Sequence, residues 1–236
     1  MTRLTKSEYY SKIMFTKLKS PMETKYTREY SSFKELILGP NFGWSYNDQA
    51  TPGYTEYVNR SVESNKEDLD EGDRQEALSA ADQLIKEQTN HAGYQMKQQR
   101  NGDLAFYSHG FLQGPSPMHK FYSNPNSEYL EYVEPVIGQI FEINKINPQV
   151  VYRINANAVH PVDGNVLTVP HYDHEFPHKN LLVYFTDVGG DTIAFDEHGK
   201  KHVFTPKEDD IVVFDGLHCM VPPKKGRRVI LVVTYL

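Results

Sequence analysis

The sequence predicts a mainly β protein, a double-sheet jelly roll with flanking helices. Two observations predict the sheets. From residue 150 to the end, about seven short apolar runs are separated by Gly, Pro and Asp turns, with no helical pattern between them. The first run alternates Tyr152, Ile154 and Ala156 with Arg153, Asn155 and Asn157, which gives a strand one polar face. The helices follow from a third observation, the three- and four-residue spacing of apolar side chains in the N-terminal half.

Taken in order, residues 8–20 carry weak helical spacing, and Phe33, Leu36, Ile37 and Leu38 form a short element ending at Gly39-Pro40. Residues 41–47 hold the only tryptophan, Trp44, expected to pack in the interior. Residues 50–75 are polar, with Glu67, Asp68, Asp70, Glu71 and Asp73 close together, and read as a solvated loop without EF-hand spacing. Ala77, Leu78, Ala81, Leu84 and Ile85 give an amphipathic helix over residues 74–95, and residues 104–108 a strand that stops near Gly110. Ser127 can cap a helix in which Tyr129, Leu130, Tyr132, Val133, Val136, Ile137, Ile140 and Phe141 recur, expected to support the β core from outside. No repeat or clear linker interrupts the chain. One domain over 1–236 is expected, with a helical and extra-strand support region (1–147) and a jelly-roll core (148–236).

Composition bounds the function. With 39% apolar and 24% charged residues this is an ordinary globular chain. No apolar leader opens it and no run approaches a membrane span, so a cytoplasmic location is expected. The single cysteine, Cys219, rules out an internal disulfide and fits a reducing compartment; beside His218 it is expected to be a small buried hydrophobe. A net charge of -6 argues against a surface built for nucleic acid, which needs clustered Lys and Arg. Residues 224–228, Lys-Lys-Gly-Arg-Arg, read instead as a tight turn that draws one Arg inward.

The chemistry centres on Pro170-His171-Tyr172-Asp173. On an extended strand, residues i and i+2 share a face, so His171 and Asp173 can reach one metal while Tyr172 looks away. With His218, just past a later strand, they make two imidazoles and a carboxylate, the facial triad of non-haem Fe(II) oxygenases, which leaves open positions on the metal. His-x-Asp alone is weak, expected by chance roughly 0.6 times in such a chain. Its weight comes from the order that follows: a strand at 181–185, the Gly189-Gly190 turn into a strand, a strand at 210–216 ending near His218, and a strand opening at Arg227-Arg228. His174 and His178 lie in the loop after the triad strand, where histidines are usually exposed polar residues but can serve as ligands or substrate contacts.

In that order the chain resembles the Fe(II)- and 2-oxoglutarate-dependent dioxygenase superfamily, most closely its prolyl-4-hydroxylase-like branch, phage-borne members included. The resemblance covers about residues 148–236. It implies a double-stranded β-helix, cupin-like core and a metal held by His171, Asp173 and His218. It also implies O₂ and 2-oxoglutarate as cosubstrates, with hydroxylation of a small-molecule or peptide substrate such as a peptidyl or free proline. If the chain is phage-encoded, the compartment is the host cytoplasm. Strand alternation leaves Arg227 and Arg228 both open as partners for the cosubstrate's distal carboxylate; the resemblance chooses Arg228. It implies Tyr184 as a second contact and Thr192 as pocket wall, while Ile230 stands where some relatives carry a Ser ligand. A non-enzymatic jelly-roll binding or virion module and an AlkB-like nucleic-acid demethylase are the alternatives. A binding module has no need of a buried carboxylate clamp beside a triad.

Overall fold

The computed structural model describes residues 15–47, 104–114, 124–163, 167–174, 176–196 and 199–236. Strands β1 (Thr16–Leu18), β2 (Ser45–Asn47), β3 (Phe106–Gln113) and β4 (Asn124–Pro125), with helices α1 (Thr27–Leu38) and α2 (Leu130–Ile143), precede the core. The core comprises β5 (Val151–Val159), β6 (Lys179–Tyr184), β7 (Thr192–Phe195), β8 (Lys201–Phe204), β9 (Ile211–Phe214), β10 (His218–Met220) and β11 (Arg228–Tyr235). The larger sheet runs β1-β9-β6-β11-β5-β3-β2, with β4 on β3; the smaller runs β10-β7-β8. Residues 168–171 extend the smaller sheet, because the Thr168 N–H donates to the Met220 carbonyl and His171 bridges His218. From β5 onward the chain therefore passes back and forth between the sheets and ends in the larger one. That winding is a double-stranded β-helix, the jelly roll expected from the strand pattern.

Strand β11 positions everything else. It pairs antiparallel with β5 on one side and β6 on the other, and all eight of its residues are buried. Val229, Leu231, Val233 and Tyr235 face the helices, in one cluster with Tyr30, Phe33 and Ile37 of α1 and Val133, Val136 and Ile140 of α2. Ile230 and Val232 face the space between the sheets, packed with Leu182, Tyr184, Ala194, Val212 and Phe214. Helix α2 thus buries most of the stripe its sequence spacing predicts, outside the β core, with Tyr132 left 53% exposed, and α1 extends the short element expected over residues 33–38 back to Thr27. Helix α1 is also tied to the turn before β9: the Tyr30 hydroxyl donates to Asp209 at 2.9 Å, and Lys34 reaches Glu208 and Asp209 at 2.5 and 2.7 Å. His109 joins three segments, with Nδ1 2.5 Å from the Gly43 carbonyl oxygen and Nε2 2.7 Å from Ser127 Oγ. Ser127 Oγ in turn accepts from the Tyr129 N–H at the start of α2.

Several elements depart from expectation. Residues 16–18 are a strand, not helix: they pair with β9 along the edge of the larger sheet, whose free backbone groups outcompete a weak helical signal. The strand expected to stop near Gly110 runs on to Gln113 through a bulge between Gly110 and Leu112. Lys201–Phe204 had no apolar run to mark it, since its side chains are partly exposed. His218 follows β9 as expected, but it also opens a strand of its own, β10. Asp173 lies in a bend beyond the single His171 bridge rather than on a continuous strand. The acidic stretch and the amphipathic helix expected at 74–95 fall outside the described residues. Among the described residues, no helix is long and apolar enough to cross a membrane.

Leu231 is fully buried between two strands, so Leu231→Ala should cost about 2–5 kcal/mol in chemical denaturation. Val203 is 55% exposed, and Val203→Ala should stay within about 0.5 kcal/mol.

Candidate metal centre

Among the described residues, one group could hold a metal ion: His171, Asp173 and His218, whose ligand atoms all lie within 4.8 Å of one another. The β ladder places His171 directly opposite His218, with ring centroids 4.7 Å apart. Asp173, two residues on, sets Oδ2 3.4 Å from His218 Nε2. Both imidazoles are oriented from behind. His171 Nδ1 lies 2.9 Å from the Val169 carbonyl oxygen and His218 Nδ1 3.1 Å from that of Gly216. A carbonyl only accepts, so each Nδ1 carries the proton and each Nε2 presents a lone pair, the form that ligates a metal. Arg153, on the polar face of β5, reaches the other carboxylate oxygen, Asp173 Oδ1. The sequence marked Arg153 only as part of a polar strand face; this ion pair was the part missed.

Arg228, Tyr184 and Thr192 come together in the same interior. Arg228 is 2% exposed, and its Nη2 donates to Thr192 Oγ1 at 3.0 Å. Tyr184 Oη lies 2.7 Å from Thr192 Oγ1, and the Arg228 guanidinium sits 5.2 Å from the centre of the Tyr184 ring. Arg228 Nε donates to the Gly190 carbonyl at 3.1 Å. Gly190 has φ +92°, and a Cβ there would meet Arg228 Cδ at 2.7 Å and the Val221 oxygen at 2.9 Å, so only glycine fits. Arg227 points the opposite way: it donates to the Leu38 carbonyl of α1 and lies 5.8 Å from the Trp44 ring. The structure therefore draws Arg228 inward and Arg227 to the helices, the alternative that strand alternation left open. Along the ladder, Thr192 and Met220 pair at the Arg228 level and Ala194 and His218 pair two residues away. Two residues of strand are about 7 Å, the span of a short dicarboxylate.

No family model matches the chain, and no curated protein matches it. Solved structures similar to it include 2OG-Fe(II) oxygenases. One is a 2OG-Fe(II) oxygenase family oxidoreductase from Burkholderia pseudomallei, at 13% identity over 56% of this chain and 66% of that one, with a TM-score of 0.44. A prolyl-4-hydroxylase from Pseudomonas putida aligns at 13% identity over 88% and 97% of the two chains, with a TM-score of 0.35. A prolyl hydroxylase from Trichoplax adhaerens, solved with a hypoxia inducible factor peptide fragment, aligns at 12% identity over 91% and 94%, with a TM-score of 0.39.

The loop histidines are not the exposed residues their position suggested. His178 is fully buried, and its Nδ1 donates to the Phe176 carbonyl. His174 stacks on Phe176 and sets Nε2 2.7 Å from Thr234 Oγ1. Neither belongs to the ligand group. Cys219 is buried with Ile193, Phe195 and Leu217, apart from the triad, as expected of a small hydrophobe. Trp44 packs edge-on to Phe42.

Electrostatics follow burial. Burial alone pushes the Asp173 carboxyl up, but the charge of Arg153 beside it holds it well below the usual carboxylate range. Burial lowers His218 to about 4 and His174 to about 3, so both are neutral near pH 7. The unfolded chain binds protons on these rings near pH 6.5, and the folded chain refuses them until about pH 4 and 3. Stability of the metal-free protein should therefore be full above about pH 6.5 and fall as the pH drops toward 4. Thermal melts across that range check this, and His174→Phe should flatten the slope.

Proposed function

We propose that the chain is an Fe(II)- and 2-oxoglutarate-dependent oxygenase acting on a small-molecule or peptide substrate. One observation carries this reading: the two-histidine, one-carboxylate group and the buried Arg228, Tyr184 and Thr192 share one interior, spaced for a short dicarboxylate. The donor set fits the group it would hold. Two imidazole Nε2 atoms and one carboxylate oxygen on a single side are the ligands non-haem iron takes, with positions left open. When bound, the iron would couple decarboxylation of 2-oxoglutarate by O₂, giving succinate and CO₂, to transfer of the second oxygen atom into a substrate C–H bond.

The protein's share is binding, orientation and exclusion of water. Arg228 meets the distal carboxylate with a planar fork, and Tyr184 and Thr192 supply hydroxyl groups beside it. The apolar side chains between the sheets, Leu182, Ile230, Val232 and Phe214 among them, keep water from the dicarboxylate and strengthen each of these interactions. A jelly roll serving only as a binding module has no use for a buried guanidinium two strand residues from a metal group.

Metal analysis tests the first half: the wild type should carry one Fe(II)-class ion per chain and His171→Ala should lose it. Slow conversion of 2-oxoglutarate to succinate, without added substrate, should follow in the wild type under Fe(II) and O₂. Its absence from protein that holds metal would return the chain to the binding-module class. The two arginines test the second half. Truncating the buried Arg228 should weaken 2-oxoglutarate by about 30- to 4000-fold, the equivalent of about 2–5 kcal/mol, whereas Arg227→Ala should cost under about 1 kcal/mol.

A further inference from the structure

We infer that Arg153 is a positioning residue: it holds one oxygen of Asp173, so that the carboxylate can meet a metal only through the other. This rests on the metal site proposed above and assigns a residue outside the ligand set. The two oxygens are already divided in the structure. Oδ1 is bound by Arg153 Nη2, while Oδ2 is the one that faces His218 Nε2. The pair is not a loose surface contact, since the two side chains are 25% and 9% exposed.

The backbone is built to deliver it. Opposite Thr234 and Tyr235 the register of β5 slips, leaving Tyr152 as an extra residue between Val151 and Arg153. Such bulges twist a strand and re-aim its side chains. Here Tyr152 lies 4.7 Å from the Phe176 ring and 5.7 Å from the His174 ring, on the segment that follows Asp173. Neighbouring residues of one strand thus grip the carboxylate and the loop beyond it.

The chemical consequence concerns free positions. An aspartate can bind a metal through one oxygen or two. A second oxygen would occupy a position that the facial arrangement leaves open for the cosubstrate. Arg153 also adds a positive charge beside a site that must attract a dianion. Its loss should therefore leave metal binding largely intact while impairing 2-oxoglutarate. A merely structural arginine would weaken both together.

The test uses the full chain loaded with Mn²⁺. Dissociation constants for Mn²⁺ and then for 2-oxoglutarate are measured by calorimetry on wild type, Arg153→Met and Arg153→Lys, with circular dichroism to confirm folding. Crystals of the Mn²⁺-loaded forms give the number of Asp173 oxygens on the metal. In Arg153→Met, Mn²⁺ affinity should stay within about threefold, Asp173 should turn both oxygens to the metal, and 2-oxoglutarate should weaken by about 10- to 100-fold. Arg153→Lys should recover part of that loss. A 2-oxoglutarate affinity within about threefold of wild type, a single Asp173 oxygen on the metal in Arg153→Met, or loss of metal from the folded variant would each overturn the proposal. If Arg153→Met does not fold, Arg153→Gln is judged by the same readings. Absence of Mn²⁺ from the wild type is a different failure: it removes the metal site itself and this inference with it.

Discussion

Strand β11 has no solvent face, and that constraint fixes the rest of the molecule. Its odd-numbered residues lie in the cluster under the helices and its even-numbered ones between the sheets. A slip of one residue would exchange the two sets and send Arg228 into the helical layer while drawing Arg227 inward. Apolar packing on both sides thereby sets the position of a charged group. The same contacts stabilise the fold and place Arg228, so the strand cannot repack without moving the guanidinium.

The interior is graded along the strands. At one end Arg228 meets Thr192, Tyr184 and the Gly190 carbonyl. Next come His171 and His218, level with Ala194. Beyond them lies the Arg153–Asp173 pair, with Arg153 opposite Thr234 in the ladder. Apolar residues of β6, β9 and β11 fill the space between. In such surroundings an unpaired charge is costly, which accounts for the close partnering of both guanidiniums and the carboxylate.

Much of this could be read from the chain before any fold was known. Most of the core strands, though not Lys201–Phe204, announced themselves through apolar runs and glycine turns, because burial demands apolar side chains and tight turns demand glycine. Likewise the grouping of His171, Asp173 and His218 was legible, since the residue types that can ligate a metal are few. Other features left no local trace. Strand β1 forms because an open sheet edge was available 195 residues later in the sequence, at Ile211–Phe214. The choice between Arg227 and Arg228 could not be made from alternation, because both faces of that strand are apolar. His174 and His178 resembled loop residues, and the burial of His174 depends on Tyr152 and Thr234 arriving from elsewhere in the chain. Long-range partners of this kind have no signature in a sequence window.

Gly190 leaves one further mark on the molecule. Its backbone, with no side chain, forms one wall beside the Arg228 side chain, and any Cβ would strike both the arginine and the Val221 carbonyl. That wall is therefore closed to variation by point substitution. The guanidinium's other neighbours, Thr192, Tyr184 and Met220, meet it through side chains and are open to substitution. A lineage, or a laboratory library, that set out to change what surrounds this guanidinium would have to do so through such side chains, with the Gly190 side frozen in main chain.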